Sequence, residues 1–258
     1  MQPSENAPEL AVVVPVHNET ENIEPLLAEI QAALAPVARF EAIYVDDGST
    51  DATPAILAAA AARFPFLRVL RHRNNCGQSS AILTGVRAAR APVVATLDGD
   101  GQNDPADIPA LLARWRAEPA DGRPLLAAGQ RTRRQDTWVR RMSSRIANGV
   151  RSRLLGDSTP DTGCGLKLFG REDYLALPFF DHMHRFLPAL FLRAGGRILL
   201  VPVNHRPRER GRSHYGIHNR LWVGLVDLLG VMWLQARGKV PQADEVPAAK
   251  QGDQPSGT

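Results

Sequence analysis

The stretch Pro92–Gln102, PVVATLDGDGQ, decides how this chain is read. Its first half is a short valine-rich run of the kind that forms a strand buried on both faces of a parallel sheet. The run stops at Asp98-Gly99-Asp100, and carboxylates two residues apart on extended chain point the same way. The pattern occurs twice more upstream. Leu10–Val16 (LAVVVPV) ends in His17-Asn18-Glu19, and Phe40–Val45 ends in Asp46-Asp47-Gly48. Between these strands apolar residues recur at helical spacing: Ile23, Leu26, Leu27, Ile30 and Leu34 follow a Thr20 cap. An alanine-rich helix through Arg63 follows a cap at Ser49 or Asp51. Leu67–Leu70 predicts a third strand and Ser79–Arg90 a third helix; Pro105–Ala117 and Pro124–Ala128 predict the next helix and strand. This alternation predicts a doubly wound α/β domain with a mostly parallel sheet. Ligands in such sheets sit at the carboxyl ends of the strands, where all three acidic loops fall.

The chain has 258 residues, 44% hydrophobic and 22% charged, which fits a globular body with one sizeable core. A formal net charge of +4 selects no partner, and no nucleic-acid partner is expected. The distribution says more. Eight arginines against the single acid Asp136 lie between Arg131 and Arg153, and seven against Glu209 between Arg193 and Arg220. Such runs read as solvated faces or as anion sites, because a guanidinium matches phosphate geometry with paired hydrogen bonds. The two cysteines, Cys76 and Cys164, lie outside any metal-ligand spacing and imply no disulfide framework, as in a reducing cytosol. Met1–Glu9 is polar, so no secretory signal is expected, and no run of eighteen apolar residues occurs.

After Arg131 the pattern changes. Trp138–Leu155 predicts an arginine-rich helix with Met142, Ile146, Val150 and Leu154 on one stripe. Leu166–Phe169 and Ile198–Val203 predict further strands, with helical stretches between them to Ala194. Arg206–Gly216 reads as an arginine and glycine loop. Leu221–Leu234 (LWVGLVDLLGVMWL) is apolar except for Asp227 and too short to span a bilayer. Trp222, Val226, Leu229 and Trp233 form one helical stripe between Arg220 and Arg237, which suits a helix lying in the lipid interface. A core or dimer-forming helix is the alternative.

Asp100 and Gln102 offer hard oxygen ligands that, beside phosphate oxygens, suit Mg²⁺ or Mn²⁺. A divalent ion there would stabilise a departing diphosphate as a Lewis acid. Asp and Gly also cluster in turns for conformational reasons alone. Position after a buried strand, beside two other acidic loops, weighs toward chemistry. A carboxylate at Asp46 can accept hydrogen bonds from a nucleobase or ribose, with Asp51 structural. No G-x-G-x-x-G follows the first strand and no G-x-x-x-x-G-K-[ST] loop occurs, which disfavours a dinucleotide cofactor and P-loop ATP hydrolysis. His182 and His184 diverge at i, i+2 and make a poor metal pair, although His184 or Arg185 is a candidate lining residue for an acceptor groove. Cys164 reads as a small packed residue rather than a nucleophile.

These residues carry a resemblance. VVVPVHNETENI (12–23), IYVDDGSTDAT (43–53), GQSSAILTGVRAA (77–89), ATLDGDGQNDP (95–105), DTGCGLKLF (161–169) and RERGRSHYG (208–216) resemble the family 2 glycosyltransferases. The stretches around Gln102, Pro105 and 208–216 are similar to the dolichyl-phosphate mannosyltransferase-like or undecaprenyl-phosphate glycosyltransferase branch. The resemblance implies a GT-A fold, expected over 10–218; the apolar stripe and the composition add an interfacial helix over 219–237 and disordered ends over 1–9 and 238–258. It implies an inverting, single-step enzyme that moves one sugar from a UDP- or GDP-sugar to a polyprenyl phosphate, for cell-envelope glycan or lipid modification. By it, Pro15, Asn18, Glu19, Asp46 and Asp98 hold the nucleotide-sugar, and Asp100 and Gln102 hold the metal. Asp98, Asp100, Arg131 and Arg208 carry the transfer, while Arg141, Lys167, Ser213 and His214 face the acceptor phosphate. The expected location is the cytoplasm, peripheral on the inner membrane's cytoplasmic face, with a membrane protein as a candidate further partner.

The chain departs from the branch in two places. Leu166-Lys167 stand where an aromatic-Arg pair is common, and Ser213-His214 where Ser-Lys is common. The Q-x-x-R-W signature of processive synthases is missing, which favours addition of a single sugar. Two other readings remain: a soluble glycosyltransferase with a saccharide or protein acceptor, and a non-catalytic nucleotide-sugar-binding subunit.

Overall fold

Leu10–Val16 forms strand β1 near the middle of the sheet, and its burial explains its unbroken apolar sequence. Leu10, Val12, Val14 and Val16 pack on one face with Ile23, Leu27, Leu57 and Leu111. Ala11 and Val13 pack on the other with Ile82, Val86, Phe169 and Leu190. With helices on both faces, every position of the strand but the half-buried Pro15 is shut off from water, so the two-residue polar alternation has no role.

The computed structural model describes residues 7–131, 149, 151–157, 159–207 and 218–239, the last segment with side chains from 223 onward. Among them are β2 (Phe40–Asp46), β3 (Leu67–Arg71), β4 (Val93–Thr96), β5 (Leu125–Arg131), β6 (Lys167–Gly170) and β7 (Arg197–Val203). They join β1 in the order β3-β2-β1-β4-β6-β5-β7. Strand β6 runs antiparallel to β4 and β5, and the other pairings are parallel. The helices are α1 (Ile23–Leu34), α2 (Thr53–Arg63), α3 (Gln78–Ala88), α4 (Ile108–Arg116), α5 (Arg171–Leu175), α6 (Leu187–Arg193) and α7 (His218–Arg237).

Pro15 in an interior strand has a physical reason. The Leu97 N–H donates to Val13 O, so Val13 and Pro15 turn their backbone toward β4. Pairing with β4 ends at Val13↔Thr96, so the proline's missing N–H costs no ladder bond.

Local details correct several expectations. Thr20 does not cap α1; the N-cap residue is Asn22, whose side chain donates to Glu19 Oε2 at 2.6 Å instead of capping. The N-cap of α2 is Ala52 and neither Ser49 nor Asp51; Asp51 Oδ1 accepts the Thr53 N–H at 2.9 Å from just before it, while Ser49 Oγ accepts from Asn18 N. The helix expected from Pro105 opens as a 3-10 turn, Pro105–Asp107, with Asp104 Oδ1 accepting the Ala106 N–H. Strand β5 runs three residues beyond Ala128, which puts Arg131 at its carboxyl end. The helix expected over 138–155 lies largely outside the described residues, where only 149 and 151–155 are helical.

Helix α7 lies against the body through Val231, which is buried, and through Leu228, Met232 and Leu234. Arg193 Nε donates to Leu234 O and Gln235 Nε2 to Leu155 O, both at 2.8 Å. Asp227, the one acid in the helix, lies 3.1 Å from His182 Nδ1, and burial raises its carboxyl pKa. The outer face is also apolar: Leu225, Val226, Leu229 and Trp233 are 47%, 65%, 56% and 61% exposed. No described helix is long and apolar enough to cross a membrane.

Candidate active site

Parallel register sets the ends of β1 and β2 side by side, with Val16 opposite Asp46 and the Asp47 N–H donating to Val16 O at 2.8 Å. The turn after β4 lies against the same strand end. A Cβ on Gly99 would meet Val16 Cγ1 at 2.6 Å and Pro15 O at 2.9 Å, so glycine lets the Asp98 loop approach β1. Gly48, with φ +69°, brings the Asp46 turn equally close to the backbone of Asn74 and Asn75. The three acidic turns expected from the sequence therefore gather around the carboxyl end of β1.

Asp98 is the centre of this edge. Its Oδ1 accepts from Gln78 Nε2 at 2.8 Å, and its N–H donates to the buried Asn103 Oδ1 at 3.2 Å. Gly165 lies directly over its carboxylate, and the Thr96 hydroxyl holds Gly165 O at 2.7 Å. Burial pushes the Asp98 carboxyl up to about 6, and the charge of Asp100 adds to the rise against the opposing pull of Lys167 and Arg131. The charge of Asp100 burdens the buried Asp98, and a cation beside the pair relieves that repulsion. Asp100 Oδ1 accepts the Gln102 N–H at 3.1 Å, and a set of carboxylate and amide oxygens fits Mg²⁺ or Mn²⁺.

Asp46 is buried. Its Oδ1 accepts the Ser49 N–H at 2.9 Å, whereas Oδ2 has no aligned hydrogen bond even though Arg71 Nε is 3.1 Å away. A buried carboxylate oxygen left in this state is an acceptor ready for a ligand N–H or O–H. Asn18 has φ 57° and is spent on the scaffold: its N–H donates to Ser49 Oγ and its Oδ1 accepts from Thr50 N, both at 2.9 Å. The Glu19 N–H donates to Thr53 Oγ1 at 3.0 Å.

The positive side of the site comes from β5 and β6. Arg131 reaches Asp161 through two bonds, Nε to Oδ2 at 2.6 Å and Nη2 to Oδ1 at 2.7 Å, a fork that fixes the guanidinium plane. Lys167 is 4% exposed and lies beneath the loop at 161–165, its ammonium donating to the carbonyls of Thr162 and Cys164. Burial lowers its pKa, with Asp98 and Asp161 opposing the fall. Lys167, expected to face the acceptor phosphate, is thus buried with its ammonium on loop carbonyls. Arg141, Arg208, Ser213 and His214 lie outside the described residues.

His184 closes the wall next to Gln78. Its Nδ1 is 2.7 Å from the Ser79 hydroxyl, and burial followed by the charges of Lys167 and Arg185 holds its pKa well below the usual value. A cleft of about 360 Å³ opens beside Asp100 and Gly101, bounded by Asn22, Glu29 and Arg206. A larger cavity of about 890 Å³ lies at the amino-terminal end of the strands, among Glu9, Arg39, Pro92 and Arg171, away from the carboxylates. Sheet topology favours the carboxyl edge as the reactive one. Gln78, Asn103 and Asp161 were not singled out from sequence, although all three lie inside quoted motifs.

The model of the glycosyl transferase family 2 matches residues 11–176, and the chain belongs to that family. It is 36% identical over 229 residues to a dodecaprenyl-phosphate galacturonate synthase of Rhizobium johnstonii, covering 87% of this chain and 67% of the relative. It is 37% identical over 211 residues to an undecaprenyl-phosphate 4-deoxy-4-formamido-L-arabinose transferase of Edwardsiella ictaluri, covering 81% and 63%. The chain thus spans about two thirds of the length of these relatives. Among solved structures, a Pyrobaculum calidifontis mannosyltransferase in complex with GDP-Man and Mn²⁺ superposes with a TM-score of 0.62 at 25% identity, over 91% of this chain and 66% of that one. A Mycobacterium tuberculosis glucosyl-3-phosphoglycerate synthase with Mn²⁺ and UDP gives 0.65 at 18% identity, over 92% and 80%. The GT-A fold implied by the sequence is the fold observed.

Proposed function

We propose that the chain moves one sugar, with inversion, from a nucleoside-diphosphate sugar to a polyprenyl phosphate. The observation that carries the reading is the Asp98–Asp100 pair at the β4 end, where burial and then the charge of Asp100 raise the Asp98 carboxyl in the middle of a polar edge. The two relatives named for polyprenyl-phosphate sugar transfer support the acceptor class. The unaligned oxygen of Asp46 supports a base or ribose contact, with Pro15, Asn18 and Glu19 forming the floor on which the donor lies.

Asp100 and Gln102 would hold the divalent ion, which when bound stabilises the negative charge of the departing diphosphate. Asp98 keeps the carboxyl edge anionic while Gln78 fixes its direction. Arg131, held flat by Asp161, supplies positive charge at the same edge, and Lys167 supports it from below through the 161–165 loop. Arg208, Arg141, Ser213 and His214 are assigned to the phosphates by sequence resemblance. A phosphate monoester is already an anion near neutral pH, so the nucleophile needs no general base, and positioning with charge stabilisation can carry the reaction.

The reading places the enzyme at the cytoplasmic face of a membrane, with residues 10–218 catalytic and the outer face of α7 in the lipid interface. Four large apolar side chains on that face, each half to two thirds exposed, forfeit on the order of 1 to 2 kcal/mol apiece in water. Val226→Ser combined with Trp233→Ser is expected to shift the protein from vesicles containing anionic lipid to the supernatant, by roughly tenfold or more in partition coefficient. Unchanged partitioning would remove the interfacial role.

The acceptor is tested with purified protein, Mn²⁺, a panel of labelled UDP- and GDP-sugars and undecaprenyl phosphate. The expected result is label in the organic phase, lost when the lipid phosphate is omitted. Label confined to water-soluble saccharide would replace the lipid acceptor with a sugar one, and binding of donor without turnover would indicate a carrier subunit.

A further inference from the structure

Beside the donor edge, on the far side of Asp46, three side chains of different chemistry converge. Asp47 Oδ1 lies 2.7 Å from His72 Nδ1, and the thiol of Cys76 completes a group whose ligand atoms are all within 4.8 Å of one another. Asp47 is buried, His72 partly buried and Cys76 exposed, so the group opens to solvent on the thiol side. His72 is oriented from behind: its Nε2 is 2.9 Å from the Thr84 hydroxyl. That is the outer hydrogen bond which, in metal centres, fixes an imidazole so that its other nitrogen faces the ion.

The donor set differs from the one around Asp100. A thiolate, an imidazole and one carboxylate suit a borderline-soft ion, whereas carboxylate and amide oxygens suit Mg²⁺ or Mn²⁺. Three protein ligands with an open fourth position match the coordination number of Zn²⁺. We propose that Asp47, His72 and Cys76 form a second metal site that takes a thiophilic divalent ion such as Zn²⁺. Binding releases the thiol proton, while His72 binds through Nδ1 and keeps its one proton on Nε2, toward the Thr84 hydroxyl. Residues 47, 72 and 76 come from the ends of β2 and β3 and the loop before α3, so no local spacing in the sequence marks them.

The site has a route to the donor edge. Asp47 Oδ1 accepts the Cys76 N–H and Oδ2 the Gly77 N–H, both at 2.8 Å, and the next residue, Gln78, holds Asp98. An ion that claims Asp47 and Cys76 loosens these bonds and with them the aim of Asp98. This consequence rests on the glycosyl-transfer reading; the site itself does not.

Binding is tested with Co²⁺ alone on the Asp100→Ala protein, which removes competition from the oxygen site. The expected result is a thiolate-to-cobalt charge-transfer absorption saturating near one equivalent, displaced by Zn²⁺ and absent when Cys76→Ser is added. Cys76 is exposed and Cys164 buried, so the serine variant folds, and Zn²⁺ should also slow the reaction of the accessible thiol with a disulfide reagent at least tenfold. Absence of the band, or equal Co²⁺ affinity in the serine variant, overturns the site. The link is tested by adding Zn²⁺ to a transfer assay at saturating Mn²⁺: wild type should be inhibited and Cys76→Ser spared. Equal inhibition of both overturns the link, and a failure to find any transfer leaves the absorption measurement to decide the site.

Discussion

Replacing Asp100 with alanine is expected to lower sugar transfer by about 100-fold or more, since losing one charge-stabilising group at a developing anion costs on the order of 3 to 4 kcal/mol. The fold should survive. Asp100 stands in a turn, where its Oδ1 accepts the Gln102 N–H, and its charge is a burden on Asp98 that the substitution relieves. The effect should appear in kcat together with a lost response to Mn²⁺, with thermal unfolding at or above the wild-type midpoint. Excess chelator should reproduce the loss in the wild-type protein. Wild-type turnover in chelator would end the metal assignment.

Gly165→Ala carries the second large effect. A Cβ at this position would stand 2.1 Å from Asp98 Oδ2 and 2.4 Å from Oδ1, well inside any tolerated contact. The loop cannot retreat freely, because Gly165 O is held by Thr96 and the neighbouring Cys164 O by Lys167. Either Asp98 turns away from Gln78 or the loop over Lys167 lifts, at a cost of about 1 to 3 kcal/mol of overpacking. Both routes misplace the carboxylate, so donor affinity should fall by roughly tenfold to 100-fold. Gly224→Ala is the control: nothing lies within 4 Å of the added methyl group, and both donor affinity and turnover should stay at wild-type values. Donor affinity unchanged in Gly165→Ala would contradict the tight fit around Asp98.

The layout around β1 was legible because strands buried on both faces leave a strong mark: Leu10–Val16 is apolar throughout and Ala42–Val45 is apolar up to Asp46, where the polar loop begins. The Asp98-x-Asp100 turn was legible because its meaning follows from position at a strand end. The depth of Lys167 was hidden, because a charge in a sequence says nothing of its burial. Thr96 and Ala128, its partners on β4 and β5, are three-dimensional neighbours with no sequence signal. The antiparallel insertion of β6 between β4 and β5 was equally hidden, since connections of that length carry no turn signature that fixes direction. Thr20 misled for a smaller reason: the carboxylate of Glu19 draws the Asn22 amide away from the helix end, and the turn closes on backbone bonds instead. Asp47 was read only as half of a pair with Asp46, yet its carboxylate organises His72, Cys76 and Gly77.

Anomalous diffraction at the manganese edge, on crystals soaked with Mn²⁺ and UDP, tests the central claim most directly. A single strong peak within bonding distance of Asp100, with the uracil reaching Asp46, is the predicted result. A peak at another edge of the sheet, or nucleotide bound at the amino-terminal cavity beside Arg39 and Arg171, would contradict it.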